Sequence, residues 1–483
     1  MGTVAMVEAL SRTARLDPDR PALTVGDETL TYCELDRRTN QLARALAARG
    51  VRTGSYVTVA LPNSIGFVET CLATLKLGAV IQPVSSRLSH RERQEIVDLA
   101  DSVVVVGASA GEHDGRVCIP DPREIAVDES DDPLPLLVSQ PWRATTSGGS
   151  TGRPKLIVGE PPAVVDDEKP DYLLPADDVV LIPGPLFHGA PFLIGITALF
   201  HGNHVILEAR FDAAETLRLI EQHPVRYLLL VPTMMHRIWR LEPAVLGVDV
   251  SSIQTVLHLG AACPAWLKQH WIDWLGPERV FELYGASDAP NRTFISGVDW
   301  LTHPGSVGRT APGEFRITDE DGTTLPCGEL GEIWMRPPPG QPPRSFVVGA
   351  ESRIVDGWTT VGDIGWMDED GFLYVADRRV DMINTGGENV YPAEVESAIE
   401  RHPGVRSSAV VGAPDDELGW RVHAVVEVDE GVTEEDLRTF LVDHLVPYKR
   451  PRTYSLVHEP IRDDAGKVRK ATLLDPSTPG ATR

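Results

Sequence analysis

Short apolar runs alternate with stretches of helical period through the first part of the chain. Residues 22–25 and 30–32 are apolar or β-branched runs on either side of a Gly26-Asp27-Glu28 turn, which predicts two short strands. Leu35, Leu42, Ala43 and Leu46 then recur at helical spacing, and Gly50 stands where such a helix would stop. The pattern continues with a strand at 57–61, a helix at 65–77, a strand at 78–84, a helix at 88–100 and a strand at 103–106. This repeated order predicts an α/β layer with a mainly parallel sheet, because parallel neighbours need a crossover connection. The same rhythm resumes at 179–182, 204–207, 227–231 and 255–259.

Two stretches interrupt it. Residues 111–140 are acidic and contain proline, and 159–178 are polar and proline-rich; both read as surface excursions. Between 305 and 335 the pattern becomes short strands separated by Gly, Pro and Asp turns, which predicts a small β-barrel or antiparallel unit. Residues 336–345 are too proline-rich for regular structure. After Asp377-Arg378-Arg379 a helix at 393–400, strands at 405–411 and 422–428 and a helix at 434–445 make up a separate α+β unit of about 100 residues.

Bulk composition narrows the class. A chain of 483 residues suggests about two to four domains of about 150 residues. The 45 basic and 70 acidic residues leave a net charge of −25, which gives no footprint for nucleic acid or an anionic membrane. An anionic substrate must therefore be met by local cations. Cys33, Cys71, Cys118, Cys263 and Cys327 show no C-x-x-C spacing, which argues against zinc or a disulfide framework and fits a reducing compartment. Residues 1–15 lack the basic and apolar regions of a signal peptide. The apolar run 179–200 is broken by Pro183, Pro185, His188 and Pro191, so no membrane insertion is expected. The cytoplasm is the expected location.

The densest chemistry lies in Thr145-Thr146-Ser147-Gly148-Gly149-Ser150-Thr151-Gly152-Arg153-Pro154-Lys155. Glycines let backbone N–H groups converge on an anion, and hydroxyls add donors. Leu156-Ile157-Val158 then leads into a strand. The stretch is not a Walker P-loop, since Arg153-Pro154 separate the last glycine from Lys155. On composition alone, a phosphate cradle and an ordinary loop both explain it.

In order along the chain, TTSGGSTGRPK, LYGASDA (283–289), VGDIG (361–365), DGFLYVADRRVDMINTGGENVYPAEVE (370–396) and AGKVRK (465–470) resemble the motifs of the adenylate-forming superfamily. That superfamily holds acyl-CoA ligases, peptide-synthetase adenylation domains and luciferase-like enzymes. The resemblance covers nearly the whole chain. It implies an α/β fold: a large N-terminal domain of two α/β subdomains with a small β-barrel-like subdomain, and a mobile α+β C-terminal domain. By the resemblance, 1–378 would hold the carboxylate and ATP sites, 379–381 the hinge, and 382–483 the lid with the catalytic lysine. The family reaction activates a carboxylic acid as an acyl-adenylate with release of pyrophosphate. A second nucleophile then captures the acyl group. ATP and Mg²⁺ are the implied cofactors, and CoA the implied co-substrate.

Carried over residue by residue, Thr146, Ser147, Gly148, Gly149 and Thr151 would surround the outer phosphates, with Lys155 nearby. Tyr284 and Gly285 match the aromatic-glycine pair at adenine, and Ser287 would touch phosphate. Asp288 stands where the family usually has the Glu that holds Mg²⁺; it keeps the carboxylate and loses a methylene of reach. Asp363 and Arg378 match the residues that contact the ribose. Lys467 matches the catalytic lysine that bridges carboxylate and α-phosphate. Val380 occupies the hinge position, where Asp or Lys is common. Gly386-Gly387 would close over the second nucleophile, and Lys449 with Arg450 could meet CoA phosphates.

The acyl side is less legible. Pro185-Leu186-Phe187-His188-Gly189-Ala190 resembles the motif that gates the carboxylate pocket, with His188 as the second catalytic candidate. Amino-acid-activating relatives often place Asp where His188 stands, and relatives acting on hydroxylated benzoic acids often place Asn where Gly189 stands. Gly260-Ala261-Ala262 resembles the small-residue strand end that makes room beside the acyl group. Met234, Met235, Phe192 and Trp239 could line an apolar pocket. Residues 271–278 and 303–309 are similar to ligases of bulky acids, bile-acid ligases among them. CoA ligation is the first expectation, with a small-molecule carboxylic acid as substrate and a homodimer as a possible assembly. Capture by an amine, loading of a carrier protein, and a regulatory nucleotide-binding role without catalysis are the alternatives.

Overall fold

A computed structural model of the chain describes residues 2–148, 154–166, 168–241, 244–310, 313–338, 340, 345–378, 381–385, 388–415, 418–463, 466–468, 470 and 473. The predicted strand–helix rhythm resolves into two separate sheets. An eight-stranded sheet runs in the order Thr293–Ser296, Val280–Tyr284, Thr255–Leu259, Tyr227–Leu230, Val179–Ile182, His204–Leu207, Pro21–Val25 and Glu28–Thr31. Its central pairs are parallel and its two edges antiparallel. A four-stranded parallel sheet joins Val80–Pro83, Tyr56–Val59, Val104–Val106 and Val117–Ile119. The last of these strands lies within the 111–140 stretch, read from sequence as an excursion.

Helix Ile65–Lys76 is buried along its whole length, as befits a helix between layers, and its Glu69 and Lys76 pair with Arg38 and Asp36. Its side chains share one core with helices Tyr32–Ala48 and Gly189–Phe200. Buried Asn63 ties the two sheets together. Its Nδ2 donates to the carbonyls of Gly184 and Glu208 at 2.9 Å each, and its Oδ1 accepts from Leu186 N at 2.8 Å. A single buried amide with its partners satisfied thus fixes the backbone just before His188.

A three-stranded sheet orders Ser345–Val348, Pro154–Gly159 and Ala144–Gly148. Ser345, at the end of the proline-rich stretch, is already in the first of these strands. The expected small β unit is a six-stranded sheet built on Gly331–Arg336, Asp363–Met367 and Leu373–Arg378. The C-terminal unit packs helices Pro392–Ile399 and Glu434–Leu441 on a five-stranded sheet around Val405–Asp415 and Gly419–Val428, with its own core.

This unit contacts the larger one. Arg240 Nη2 pairs with Asp429 Oδ2 at 2.5 Å, and its Nη1 donates to the Val405 carbonyl. Among the described residues, no helix is long and apolar enough to cross a membrane.

Candidate active site

The carboxyl ends of neighbouring parallel strands collect the candidate residues, which is where open α/β sheets bind ligands. Strand Thr255–Leu259 ends at Gly260, whose φ of 88° is a left-handed conformation that suits glycine; Ala261 and Ala262 follow it, exposed. The adjacent strand Val280–Tyr284 delivers Tyr284, Gly285, Ser287 and Asp288. Strand Val179–Ile182 leads to His188, the N-cap of helix Gly189–Phe200.

The Thr/Ser/Gly stretch begins inside strand Ala144–Gly148 and emerges in strand Pro154–Gly159. Ser147 pairs with Lys155 and Thr145 with Ile157 across the hairpin. Gly149 and Thr151 lie outside the described residues. The hydroxyls of Thr145 and Thr146 are buried with no hydrogen-bond partner. Such orphan donors are costly unless a ligand or water meets them. They fit a polyanion at this turn.

Opposite, a Cβ on Gly189 would lie 2.7 Å from Ser287 Oγ and 4.0 Å from Thr145 Oγ1. Gly189 therefore stands against Ser287, and a side chain there would make the Ser287 hydroxyl turn away. Lys155 Nζ pairs with Asp288 Oδ2 at 2.6 Å, both side chains about one-fifth exposed. Among the described residues no three His, Cys, Asp or Glu side chains gather. A lone carboxylate fits a hard cation that takes its other ligands from phosphate and water.

Tyr284 Oη donates to Asp363 Oδ2 at 2.6 Å, and Asp363 is only 7% exposed. Asp363 is the register partner of Arg378 in the antiparallel ladder, so both ribose candidates stand at one point of that sheet.

The C-terminal unit also touches the large unit near this region. A Cβ on Gly466 would run into Thr233 Oγ1 of helix Pro232–Trp239, so this loop is seated on the large unit. Asp463 Oδ1 accepts from Lys467 N at 2.9 Å, and Asp463 N donates to Lys467 O at 2.8 Å. The Lys467 charge reaches His188. Burial chiefly, and then Lys467, push the His188 imidazole down to about 3, and its Nε2 is buried without a partner. Residues 279 positions apart thus act on one another electrostatically.

Some expectations are corrected. Phe192 is fully buried between Trp142 and Phe67, with ring centroids 5.8 and 6.5 Å away, and Met235 is fully buried. They are core, as is Met234, while Trp239 stacks on His270 at 4.7 Å. Val380, Gly386 and Gly387 lie outside the described residues. Lys449 is bound by Glu394, with both carboxylate oxygens at 2.7 Å. Arg450 instead lines an open cleft of about 600 Å³ with Arg421, Arg438 and Arg452. Thr145, Thr233, Arg421, Arg438 and Arg452 were not singled out in the sequence as site residues. Their roles come from register and from contacts between distant segments.

A hydroxyl- and glycine-rich hairpin, a Tyr–Asp pair joining strands of two sheets and a lysine on a second unit point to a nucleotide-dependent enzyme of the adenylate-forming class. The chain belongs to the AMP-binding enzyme family: the model for that family matches residues 10–340, and the model for its C-terminal domain matches 394–467. It is 33% identical to a feruloyl-CoA synthase of an Amycolatopsis species, over 96% of this chain and 97% of that one. It is 30% identical to a 2-succinylbenzoate–CoA ligase of Bacillus licheniformis, over 96% and 98%. Among solved structures it is similar to o-succinylbenzoate CoA synthetase of Bacillus subtilis in complex with its acyl-adenylate intermediate. That match has a TM-score of 0.83 and 26% identity over the whole of both chains.

Proposed function

We propose that this protein is an ATP- and Mg²⁺-dependent acid–CoA ligase that works through an acyl-adenylate. The observation that carries the reading is the gathering of Gly189, Ser287 and Thr145 next to His188, with the charge of Lys467 acting on that histidine. An in-line attack of a carboxylate on the α-phosphate of ATP builds charge on phosphate oxygens, and fixed donors and cations must meet it. Lys467 supplies a cation on a long stem, delivered by a unit that can move away afterwards. His188, held neutral, lies next to that cation without competing with it in charge. Thr146, Ser147, Gly148, Gly149, Thr151 and Lys155 would hold the leaving pyrophosphate. Tyr284, Gly285, Asp363 and Arg378 would hold the nucleoside, and Gly260, Ala261 and Ala262 would border the acyl group. Asp288 would hold Mg²⁺, which neutralises phosphate charge when bound.

We place the moving lid at 382–483, the hinge at 379–381 and both substrate sites in 1–378. CoA as the acyl acceptor is supported by the four-arginine cleft on the lid and by the CoA ligases among the relatives. Asp415 also lines the cleft and pairs with Arg421, and Arg438 pairs with Glu434, so Arg450 and Arg452 leave the cleft net positive on a chain of net charge −25, suited to phosphate groups. The test is pyrophosphate release and product analysis over a carboxylic-acid panel, with CoA or amines offered in parallel. Acid-dependent AMP and thioester are expected. AMP and an amide formed without CoA would replace the ligase reading with an acid–amine ligase.

A further inference from the structure

One carboxylate of the C-terminal unit grips the chain on both sides of Lys467. Glu396 stands on helix Pro392–Ile399, with its side chain 14% exposed. Its Oε2 pairs with Arg462 Nη2 at 3.1 Å, five residues before Lys467. Its Oε1 pairs with Lys470 Nζ at 3.2 Å, three residues after Lys467. Val410 N, on strand Val405–Asp415, donates to the same Oε1 at 2.8 Å and fixes the carboxylate against the sheet. A carboxylate that holds two cations and a backbone N–H has most of its acceptor capacity in use and little freedom left.

Arg462 passes that grip on. Its Nη1 donates to the carbonyl of Gly466, the residue before Lys467, at 3.1 Å. Its Nη2 also donates to Ser408 O at 2.6 Å and its Nε to Ser407 Oγ at 3.1 Å, both on strand Val405–Asp415. The guanidinium fork is thus anchored to a helix and a strand at once, with one arm left for the peptide that leads into Lys467. Asp463 holds the same peptide from its other side, accepting from Lys467 N and donating to Lys467 O. Lys470 has a second carboxylate, Asp381, at 3.8 Å. Glu400, beside the end of the helix, accepts from Ser408 N at 3.0 Å and Ser408 Oγ at 3.2 Å, and burial raises its carboxyl to about 7. Among the described residues, Glu396 is the acid that pairs with both cations.

We propose that Glu396 is a positioning residue for adenylation: by pairing with Arg462 and Lys470 it fixes the main chain from which Lys467 reaches the reacting groups. The inference rests on the role given to Lys467 above. Glu396 acts through that lysine and touches no substrate. A lysine loses much rotamer freedom when its long stem is held in one place. A main chain free to move would add to that cost at the moment of reaction, so fixing it beforehand speeds the step that needs the cation. The second half-reaction does not need it.

The test is Glu396→Gln in single-turnover assays of the two half-reactions, with the Tm measured alongside. Gln keeps the shape and gives up the charge that holds the two cations. Adenylation should slow about 10- to 100-fold, the scale of a displacement of about 1 Å in a positioned group. KM for ATP and thioester formation from supplied adenylate should be little changed. Lys470→Met, at a side chain 22% exposed, should show the same split to a smaller degree, and it carries the comparison if Glu396→Gln does not fold. Arg462→Lys should keep part of the rate that Arg462→Met loses. The decisive arm places Glu396→Gln or Lys470→Met in the Lys467→Ala background: with the lysine gone, the second substitution should slow the residual adenylation no further. A further fall there, or equal slowing of both half-reactions with a lower Tm, would make Glu396 a structural residue and overturn the proposal. Wild-type adenylation in Glu396→Gln and Lys470→Met, with Lys467→Ala crippled, would overturn it and leave the role of Lys467 standing. Wild-type adenylation in Lys467→Ala, or no acid-dependent pyrophosphate release in the unmodified protein, would overturn the reading on which it rests.

Discussion

Lys155 Nζ sits 2.6 Å from Asp288 Oδ2, so the carboxylate proposed for Mg²⁺ is held by a lysine from the phosphate hairpin. The pair is partly exposed, and its own contribution to stability is small. Its interest lies in exchange: a metal arriving with nucleotide would release the lysine toward phosphate. Asp288→Asn keeps the shape and removes the charge. It should lower kcat/KM for ATP about 10- to 100-fold and raise the Mg²⁺ concentration needed for half-maximal rate. Asp288→Glu restores the usual length and should match or exceed wild type. Mg²⁺ titrations of pyrophosphate release check both, and equal Mg²⁺ dependence in all three proteins would remove Asp288 from the metal site.

Tyr284 and Asp363 offer a cleaner separation of roles. Tyr284→Phe keeps the ring and deletes the 2.6 Å bond to Asp363 Oδ2. The KM for ATP should rise about 10-fold with kcat little changed, the low end of the value of one hydrogen bond to a charged group. Asp363→Ala removes a buried carboxylate as well and should cost far more. Steady-state kinetics on the two variants decide this; a kcat effect in Tyr284→Phe equal to its KM effect would point to a role in the transition state.

The motifs were legible because each is local: glycines and hydroxyls in one turn, Tyr-Gly at one strand end, Gly-Lys in one loop. The α/β rhythm was legible for the same reason, since its periods are short. What escaped reading is made by distance in sequence. Helix Met6–Leu16 passes as an unmarked terminus, since it begins without a side-chain cap and acquires its partners from helices elsewhere in the chain. Asp429 and Arg240 lie in separate units, and no local pattern marks them as partners.

That Arg240–Asp429 pair gives a prediction on domain motion. It joins the lid to helix Pro232–Trp239, close to where Gly466 is seated. Arg240→Ala should loosen the closed arrangement, slowing adenylation several-fold while leaving thioester formation from supplied adenylate unchanged or faster. Single-turnover assays of the two half-reactions check it; equal slowing of both would mean the pair serves stability alone.

The buried histidines predict acid sensitivity. His188 is pushed down to about 3, and His236 and His204 to about 4, each chiefly by burial. An unfolded histidine binds a proton near 6.5, so each neutral buried one contributes stability that is complete above that pH. It is lost as pH falls from about 6.5 toward the folded value. Glu208 and Glu400, both raised to about 7 by burial, act in the opposite sense: the fold binds more protons than the unfolded chain between about 4.5 and 7. Replacing His188 with Gln removes one acid-sensitive group. The Tm of His188→Gln should therefore fall less than that of wild type between pH 6.5 and 4.5. An unchanged acid slope would mean that His188 is not held neutral by the fold.

Gly466 and Lys467 make the most specific prediction, because one is positional and the other chemical. Lys467→Ala removes the cation proposed to meet the α-phosphate. It should cripple adenylation and spare thioester formation from a supplied acyl-adenylate. Gly466→Ala leaves the lysine in place but adds a Cβ at φ 74°, directed at Thr233 Oγ1. The left-handed backbone alone costs about 1–2 kcal/mol for a residue with a Cβ. The clash then displaces the loop, and a shift of about 1 Å in a positioned group can cost about 100-fold in rate. Gly466→Ala should thus imitate Lys467→Ala in the adenylation assay. Thr233→Ala added to it relieves the clash but not the backbone strain, so the double variant should recover part of the rate. Thr233→Ala added to Lys467→Ala should recover none. Partial recovery in the first pair together with none in the second would assign the Thr233–Gly466 contact to delivery of Lys467. Recovery in neither would leave that contact without a part in the first half-reaction.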